Sequence, residues 1–319
     1  MTILTTLAPA RRTRFGSLAV VATTLAILAG ASAGAVAPRA ASAAVVYPTD
    51  APMMLQSVPW QDLRYNRHGI CDGAFTHVIK NIPANGTLTS PVNYLNEAQA
   101  CGLKVIFHFS ATVSGGTVYP SRVARWANAV ENHPNLDGYL TVKEPSWAGI
   151  NTTEIRSLYK AFKAADPTHT VYALFGDIPH FGDRANPYAS GMADVVMVDW
   201  YPVETSNLGC ARTGTSYRAD GTRWFAKVRR VVNTKTPGKP VYAMVQTHKY
   251  LAPRCHKKQL PTKSRLWRQV RDAFTYGSVK GIAFHTWSNT SYNMDQARNP
   301  TMVGYMKELS GLVRAGTFQ

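Results

Sequence analysis

The chain has 319 residues and a formal net charge of +17 at pH 7, from 35 lysines and arginines against 18 aspartates and glutamates. The basic residues are dispersed, and neither a zinc-finger spacing nor an RNA-recognition signature is present, which argues against a nucleic-acid partner. The charge indicates either attraction to polyanions, such as acidic polysaccharides and cell-wall polymers, or a surface that Lys and Arg keep soluble.

Residues 1–43 have the pattern of a secretory signal peptide. A basic head with three arginines precedes an apolar run and Ala-x-Ala sites. We place cleavage after Ala43, because use of the earlier site at 35–37 would leave Pro38 as the first mature residue. The paired arginines also match, loosely, a twin-arginine export signal. A membrane anchor is the alternative, but the apolar run is too short and too rich in Ala, Gly and Thr to span a bilayer comfortably.

The predicted mature protein, residues 44–319, is extracellular. Loss of four arginines and no acidic residue with the signal leaves it a net charge of +13. No repeat, low-complexity segment or interdomain linker interrupts it, so we expect a single domain, and we expect a monomer.

From about Pro52 onward, short apolar runs alternate with segments of helical spacing. In the segment SRVARWANAVENHP, for example, Val123, Trp126 and Val130 fall on one helical face. Alternating strands and helices predict a parallel sheet, and about eight units in this length predict a closed (β/α)8 TIM barrel. An open doubly wound sheet is the alternative, but the Gly-rich phosphate loop typical of that fold is missing. The predicted strands are MMLQSV, FTHVIKNI, LKVIFHFS, DGYLTV, TVYALFGD, DVVMVDWYPV, PVYAMVQTHKY and GIAFHTWSN. The predicted helices lie in SPVNYLNEAQACG, SRVARWANAVENHP, NTTEIRSLYKAFKAADP, RWFAKVRRVVN, SRLWRQVRDAFTYG and MVGYMKELSGLV, and the third opens with the capping-box spacing of Asn151 and Glu154.

Four cysteines in an exported chain predict two disulfides, for which three pairings exist. Cys71 and Cys101 each precede neighbouring predicted strands, whereas Cys210 and Cys255 lie in consecutive loops on the opposite face. This arrangement favours pairing Cys71 with Cys101 and Cys210 with Cys255. A Cys-His metal site is the competing interpretation, but no C-x-x-C spacing supports it.

Polar and aromatic residues stand where the apolar strand runs end. In barrels of this kind the active site lies at the carboxyl ends of the strands, so these residues are the candidates for a site. They are Gln56, Trp60, His108, Lys143, Glu144, Asp177, Asp199, Tyr201, Gln246, His248, His285 and Trp287.

Four of these strand ends carry motifs of a known group. They are LTVKEP at strand four, DVVMVDWYP at six, PVYAMVQTHKY at seven and AFHTWSN at eight. In this order they resemble secreted glycoside hydrolases of the large (β/α)8 clan whose fourth strand ends in Asn-Glu-Pro, and still more its poorly characterised relatives that end in Asp-Glu-Pro. The resemblance implies hydrolysis of O-glycosidic bonds, with Glu144 as general acid/base, Tyr201 as the strand-six aromatic and Trp287 as a platform for sugar.

Cleavage of a glycosidic bond also requires a second carboxylate. The clan uses a Glu at the end of strand seven, but here Gln246 stands in its place, and an amide cannot attack in the same way. Asp199 is the favoured substitute, because strand six lies two strands from strand four across the mouth and this aspartate interrupts an apolar run. Glu204 and Asp177 are the reserves. Carboxyl groups two strands apart favour the longer spacing of inverting enzymes.

Lys143 occupies the position of the clan's Asn or Asp. An ammonium group there favours the ionised form of Glu144, which opposes its use as a general acid. The objection weakens if Lys143 points away or binds an anionic group of the substrate. We therefore expect a polysaccharide or oligosaccharide substrate that is acidic or derived from a cell wall. The predicted substrate-binding residues are Trp60, His108, Lys143, Trp147, Asp177, Tyr201, Gln246, His248, His285 and Trp287.

Two other functions remain open. A metal-dependent hydrolase would use His108, His248 and His285 with Asp199, although neither H-x-H nor H-E-x-x-H is present. A carbohydrate-binding barrel that has lost catalysis would be consistent with Gln246 and Lys143. Our prediction is a hydrolase that needs no cofactor and no metal.

Overall fold

A computed structural model describes residues 47–145, 149–176, 181–183, 187–206, 214–217, 221–249, 257–289, 294–295 and 299–319. Eight parallel strands, β1 to β8, form a closed barrel in which each strand pairs with its neighbours in sequence and β8 pairs with β1. This architecture confirms the predicted fold class. The strands are β1 Met53–Gln56, β2 His77–Ile82, β3 Lys104–Phe109, β4 Leu136–Lys143, β5 Thr170–Phe175, β6 Val195–Trp200, β7 Val241–Gln246 and β8 Gly281–His285.

Seven helices of the described chain accompany these strands. The first is a single short turn that no apolar periodicity in the sequence predicts; the other six lie where the sequence predicts them. They are α1 Trp60–Arg64, α2 Thr89–Ala100, α3 Pro120–Val130, α4 Thr152–Ala165, α5 Gly221–Lys235, α6 Lys263–Gly277 and α7 Pro300–Arg314. Within the described residues, no helix is both long and apolar enough to cross a membrane.

The apolar core has two layers, because side chains alternate between the two faces of each strand. The inner layer fills the barrel and includes Met54, Ile106 and Met197. The outer layer lies between the strands and the helices. In it, Trp126 of α3 stacks on Phe109 with ring centroids 5.0 Å apart, which agrees with the packing role expected from its helical face.

The Cys71–Cys101 disulfide is present, as predicted. It joins the segment before β2 to the end of α2, and so encloses one strand–helix unit. Cys210 and Cys255 lie outside the described residues, so their pairing stays a prediction.

Short antiparallel strands follow the carboxyl ends of four barrel strands. Val113–Ser114 pairs with Thr117–Val118 after β3, and Ser288–Asn289 pairs with Met294–Asp295 after β8. After β6, a three-stranded sheet combines Val203–Ser206, Gly214–Tyr217 and Lys257–Lys258, the last of which follows β7. These pairings add structure on the side of the barrel where the candidate residues lie.

Candidate functional site at the carboxyl ends of the strands

The end of β4 is irregular at the position of Glu144. The pairing of β4 with β5 shifts register between Leu140 and Lys143, and the Glu144 N–H then donates to the Leu174 carbonyl oxygen at 2.8 Å. Glu144 has a φ of 48°, in the left-handed region that non-glycine residues rarely adopt and that is often found at functional sites. The local pairing thus holds this carboxylate in a defined and costly backbone conformation.

Gly176, directly after β5, leaves room for the Glu144 side chain. A Cβ at residue 176 would lie 2.5 Å from Glu144 Oε1 and 2.8 Å from its Cγ. Any larger residue would therefore displace the carboxyl group. Gly176 was not among the sequence-based candidates, although the FGD segment at the end of the fifth strand contains it.

Lys143 is half-buried beside Glu144. Burial lowers the pKa of its ammonium group to about 8; Glu144 opposes this shift, and the positive charge of Lys80 adds to it. Lys80 itself has a pKa lowered by burial, and its Nζ donates to the Val58 carbonyl oxygen at 3.3 Å. At pH 7 the site therefore contains a lysine that is still charged but lies close to its titration range.

His108 is a neutral ring with a defined tautomer. Its Nδ1 lies 2.5 Å from Asn81 Oδ1, which also accepts a hydrogen bond from Ser110 Oγ at 2.9 Å. Because a carbonyl oxygen only accepts, Nδ1 carries the proton. Burial, and then the charge of Lys143, lower the pKa of His108 well below its usual range, so that Nε2 is a hydrogen-bond acceptor at neutral pH.

Asp199 and Tyr201 lie together at the end of β6, and the interaction of the Tyr201 hydroxyl with the Asp199 carboxylate is one of those that raise the pKa of Tyr201. Asp199 is only 5% exposed, whereas Tyr201 is half-buried. Burial raises the pKa of Tyr201 well above its usual range, and the negative charges of Asp199 and Glu144 raise it further. Both sequence-predicted carboxylates therefore act on one phenol.

Two histidines hold the Tyr201 ring. Its centroid is 4.9 Å from that of His248 and 5.0 Å from that of His285. His248 Nδ1 lies 2.8 Å from the His285 carbonyl oxygen and therefore donates to it. Burial, followed by His248 and Lys143, lowers the pKa of His285 well below its usual range. The His285 ring is therefore neutral at pH 7, and both rings pack against the phenol.

Gln246 is fully buried and bound to the backbone. Its Oε1 accepts from the Val203 N–H at 2.8 Å, and its Nε2 donates to the carbonyl oxygens of Val203, His248 and Gln259. All of its amide groups are therefore committed to the loops after β6 and β7. This geometry corrects the expectation that Gln246 binds substrate, and it indicates a structural role at the clan's nucleophile position.

Trp287 also has an enclosed position. It is fully buried, and its Nε1 donates to Asp62 Oδ2 at 2.8 Å, so no face of the ring is open to a sugar. This corrects the expectation of a platform at strand eight. Trp60, by contrast, is 41% exposed, and the Arg64 guanidinium lies 5.6 Å from the centre of its ring. Trp147, Asp177 and the side chain of Glu204 lie outside the described residues.

A cavity of about 210 Å³ lies beside the ends of β3 and β4. His108 and Lys143 are in its wall, with Ser110, Gly115 and Gly116 from the loop after β3. Its wall mixes apolar side chains with the hydroxyl of Ser110, and Lys143 gives it a positively charged group that suits a small anionic ligand. Residues Asn81 and Ser110 were missed by the sequence analysis, which named no residue at the end of the second strand. The available signal was that Asn81 falls two residues after Ile79 in HVIKNI, and therefore on the same, inward-facing side of the strand.

The part of the chain that the structure describes contains no group of three or more His, Cys, Asp or Glu side chains arranged to hold a metal ion. The proposed ligands His248 and His285 do meet, with Nδ1 atoms 3.1 Å apart. His248 Nδ1, however, already donates to a carbonyl oxygen. The geometry of these residues gives no support to the metal-dependent alternative.

The fold and its polar strand ends define a (β/α)8 barrel whose structural neighbours are glycoside hydrolases. A family 39 glycoside hydrolase from Bacteroides cellulosilyticus WH2 is similar with a TM-score of 0.53 and 14% identity over 84% of this chain. The chain spans 64% of the length of that protein. A β-glucosidase from Thermotoga maritima has a TM-score of 0.53 and 9% identity, with 82% of this chain and 87% of that one covered.

A third neighbour is GH5_18 from Streptomyces cattleya in complex with GlcNAc, with a TM-score of 0.51, 12% identity, and 83% of this chain and 81% of that one covered. No family model matches the sequence, and no curated protein matches it. At these identities the similarity shows the barrel fold alone.

Proposed function

We propose that this protein is a glycoside hydrolase that cleaves O-glycosidic bonds of a polysaccharide, with Glu144 as general acid/base and Asp199 as the second carboxylate. The observation that carries the proposal is the position of the two carboxylates: Glu144 directly follows β4, Asp199 lies near the carboxyl end of β6, and both raise the pKa of Tyr201. Glycosidic cleavage needs two carboxyl groups on either side of one bond. The glycoside hydrolase neighbours support the same chemistry at the level of fold.

The substrate class we propose is an acidic polysaccharide. Lys143, the residue before Glu144, lies in the wall of the cavity at the ends of β3 and β4, and it is charged at neutral pH because its pKa is about 8. A substrate carboxylate in this cavity would neutralise the ammonium group. It would also weaken the preference of Glu144 for its ionised form, so that a proton donor beside a lysine becomes workable.

The test is release of reducing ends from a panel of neutral and acidic polysaccharides by the wild-type protein and by Glu144→Gln. We expect the variant to lose about 10²- to 10⁴-fold in kcat, the usual contribution of a general acid/base, and to retain binding. Glu308→Gln is the matched control. Its carboxylate is 46% exposed and pairs with Lys263 on the outer helices, so we expect wild-type turnover.

The same measurement separates the hydrolase from a carbohydrate-binding barrel, the alternative that the buried amide of Gln246 favours. A wild-type protein that binds glycans but releases no reducing ends would contradict the hydrolase proposal. Unchanged turnover in Glu144→Gln would remove Glu144 from its proposed role. Under the proposed function the protein acts as a secreted monomer.

A further inference from the structure

Tyr201 lies between Asp199 and the opening of the barrel. Side chains two residues apart along a strand share a face. Val195 and Met197 of β6 lie in the inner core, and Tyr201 packs against the same cluster. The spacing places Asp199 on this inner face, one step deeper than Tyr201. The exposure agrees: the carboxylate is 5% exposed and the phenol is half-buried.

A sugar that enters the mouth therefore meets the phenol before it meets the Asp199 carboxylate. We propose that the Tyr201 hydroxyl oxygen, and not Asp199, attacks the anomeric carbon of the substrate, while Asp199 accepts the phenol proton. This inference rests on the proposed function. It explains how a barrel with an amide at the end of strand seven can retain a nucleophile.

The step balances with the groups at the site. The Tyr201 oxygen forms a bond to the anomeric carbon as the bond from that carbon to the leaving oxygen breaks. The phenol proton moves to Asp199, and the Glu144 proton moves to the leaving oxygen. In the second step Glu144 takes a proton from water, the water oxygen replaces Tyr201 on the anomeric carbon, and Asp199 returns its proton to the phenol.

The electrostatics of the site suit a neutral nucleophile. Burial and two nearby carboxylates raise the pKa of Tyr201, so the resting phenol is protonated and needs a base beside it, which Asp199 provides from two residues earlier on the same inner face. A neutral oxygen also avoids repulsion from the carboxylate of an acidic sugar. Some sialidases use a tyrosine nucleophile, which shows that the chemistry is accessible to a phenol.

The test has two measurements on wild-type protein. The first is the anomeric configuration of the initial product, followed by NMR. Attack by Tyr201 and then by water requires net retention. Inversion, the outcome favoured by two carboxylates acting across a longer spacing, would overturn this inference and leave the proposed function intact.

The second measurement locates the covalent bond. The protein is incubated with 2-deoxy-2-fluoro glycosyl fluorides of neutral sugars and uronic acids, and its peptides are analysed by mass spectrometry. We expect a glycosyl adduct on Tyr201 and none on Tyr201→Phe, which should also lose at least 10³-fold in kcat. An adduct on Asp199 or Glu144, or Tyr201→Phe activity within tenfold of wild type, would overturn the inference. Retention with no adduct on Tyr201 in any reaction would also count against it.

Tyr159→Phe is the matched control. Tyr159 donates to Asp194 Oδ1 at 2.8 Å on α4, so the variant removes the same kind of Tyr–Asp bond away from the barrel mouth. We expect a small loss in Tm and wild-type activity. Absence of any turnover in the wild-type protein would contradict the proposed function itself, and would be distinguishable from every outcome above.

Discussion

Gly176 controls the position of the Glu144 carboxyl group by leaving space for it. Replacement by alanine would put a Cβ 2.5 Å from Glu144 Oε1. Because the clash is with the end of a flexible side chain, Glu144 can move aside at little cost in stability. Its proton would then be misplaced, however, and a displacement of about 1 Å can cost about 10²-fold in rate.

We therefore expect Gly176→Ala to lower kcat/KM at least tenfold while Tm changes by no more than a few degrees. Gly304→Ala is the control, because Gly304 lies in α7 with open space around its Cβ position. That variant should keep wild-type activity and gain up to about 1 kcal/mol in stability. Wild-type kcat/KM in Gly176→Ala would show that the carboxyl position does not depend on this glycine.

For single residues, the sequence predicted which residues stand at the strand ends better than it predicted what surrounds each side chain. The Glu-Pro pair at the end of strand four made Glu144 a candidate, and the aspartate in an apolar run made Asp199 one; their catalytic roles are part of the proposed function. Trp287 and Gln246 were assigned to substrate because tips of strands face solvent in a simple barrel. Their burial depends on loops and on partners such as Asp62 and Val203, which lie far away in sequence.

Helix α4 begins with the capping box that its sequence predicts. Asn151 Oδ1 accepts from the backbone N–H groups of Thr153 at 2.8 Å and Glu154 at 3.3 Å, and Glu154 Oε2 accepts from the Asn151 N–H at 2.6 Å. Asn151 follows Glu144 by seven residues in the sequence. Both partners of the box were readable from the spacing alone, because capping is a local interaction.

Asn151→Ala should therefore destabilise the protein by about 1 kcal/mol, the usual value for an N-cap, as measured by urea denaturation. Asn233→Ala is the control, since Asn233 is exposed within α5 and alanine has the higher helix propensity. Equal effects of the two substitutions would show that the box contributes nothing beyond propensity.

The elements themselves were largely predictable. All eight barrel strands and six of the seven described helices fall where apolar periodicity places them. Helix α1 was missed because its five residues are too few to show a period. The register shift in β4 was missed as well, because it arises from pairing with β5, a contact between residues about 30 positions apart.

Across the whole molecule, two sources of attraction for an acidic glycan can be separated. The surplus of Lys and Arg attracts any polyanion at long range, and salt screens that attraction with a Debye length of about 8 Å at 0.15 M. In the proposed function, Lys143 would attract an acidic glycan only at the carboxyl ends of the barrel strands, where β4 ends. Its pKa of about 8 means that its charge is present at pH 7 and is lost as pH rises through this value, while most other Lys and Arg side chains remain charged.

We expect the ratio of kcat/KM for an acidic polysaccharide to that for its carboxyl-reduced form to fall several-fold between pH 7 and pH 9. The fall should persist at 0.5 M NaCl and should be absent in Lys143→Met. Lys263→Met, which removes an exposed lysine on α6, is the control and should retain the wild-type profile. A ratio that is independent of pH would contradict a carboxylate-binding role for Lys143.

The barrel itself follows from alternation and length, but the convergence of Glu144, Asp199 and Tyr201 required the closed sheet. How deep each side chain lies in the barrel depends on the register between neighbouring strands, which the sequence does not show. Alternation and length therefore predicted which residues lie at the strand ends, but they could not predict that Tyr201 lies nearer the barrel opening than Asp199 does.

The Cys71–Cys101 bond closes a short loop of 30 residues around β2 and α2. Bringing together ends this near in sequence costs less entropy than closing a longer loop. In the proposed secreted protein, export from the amino terminus would present Cys71 and Cys101 before Cys210 and Cys255. The partner that the structure shows for Cys71 would then be the first one available to it, which would limit wrongly paired disulfides.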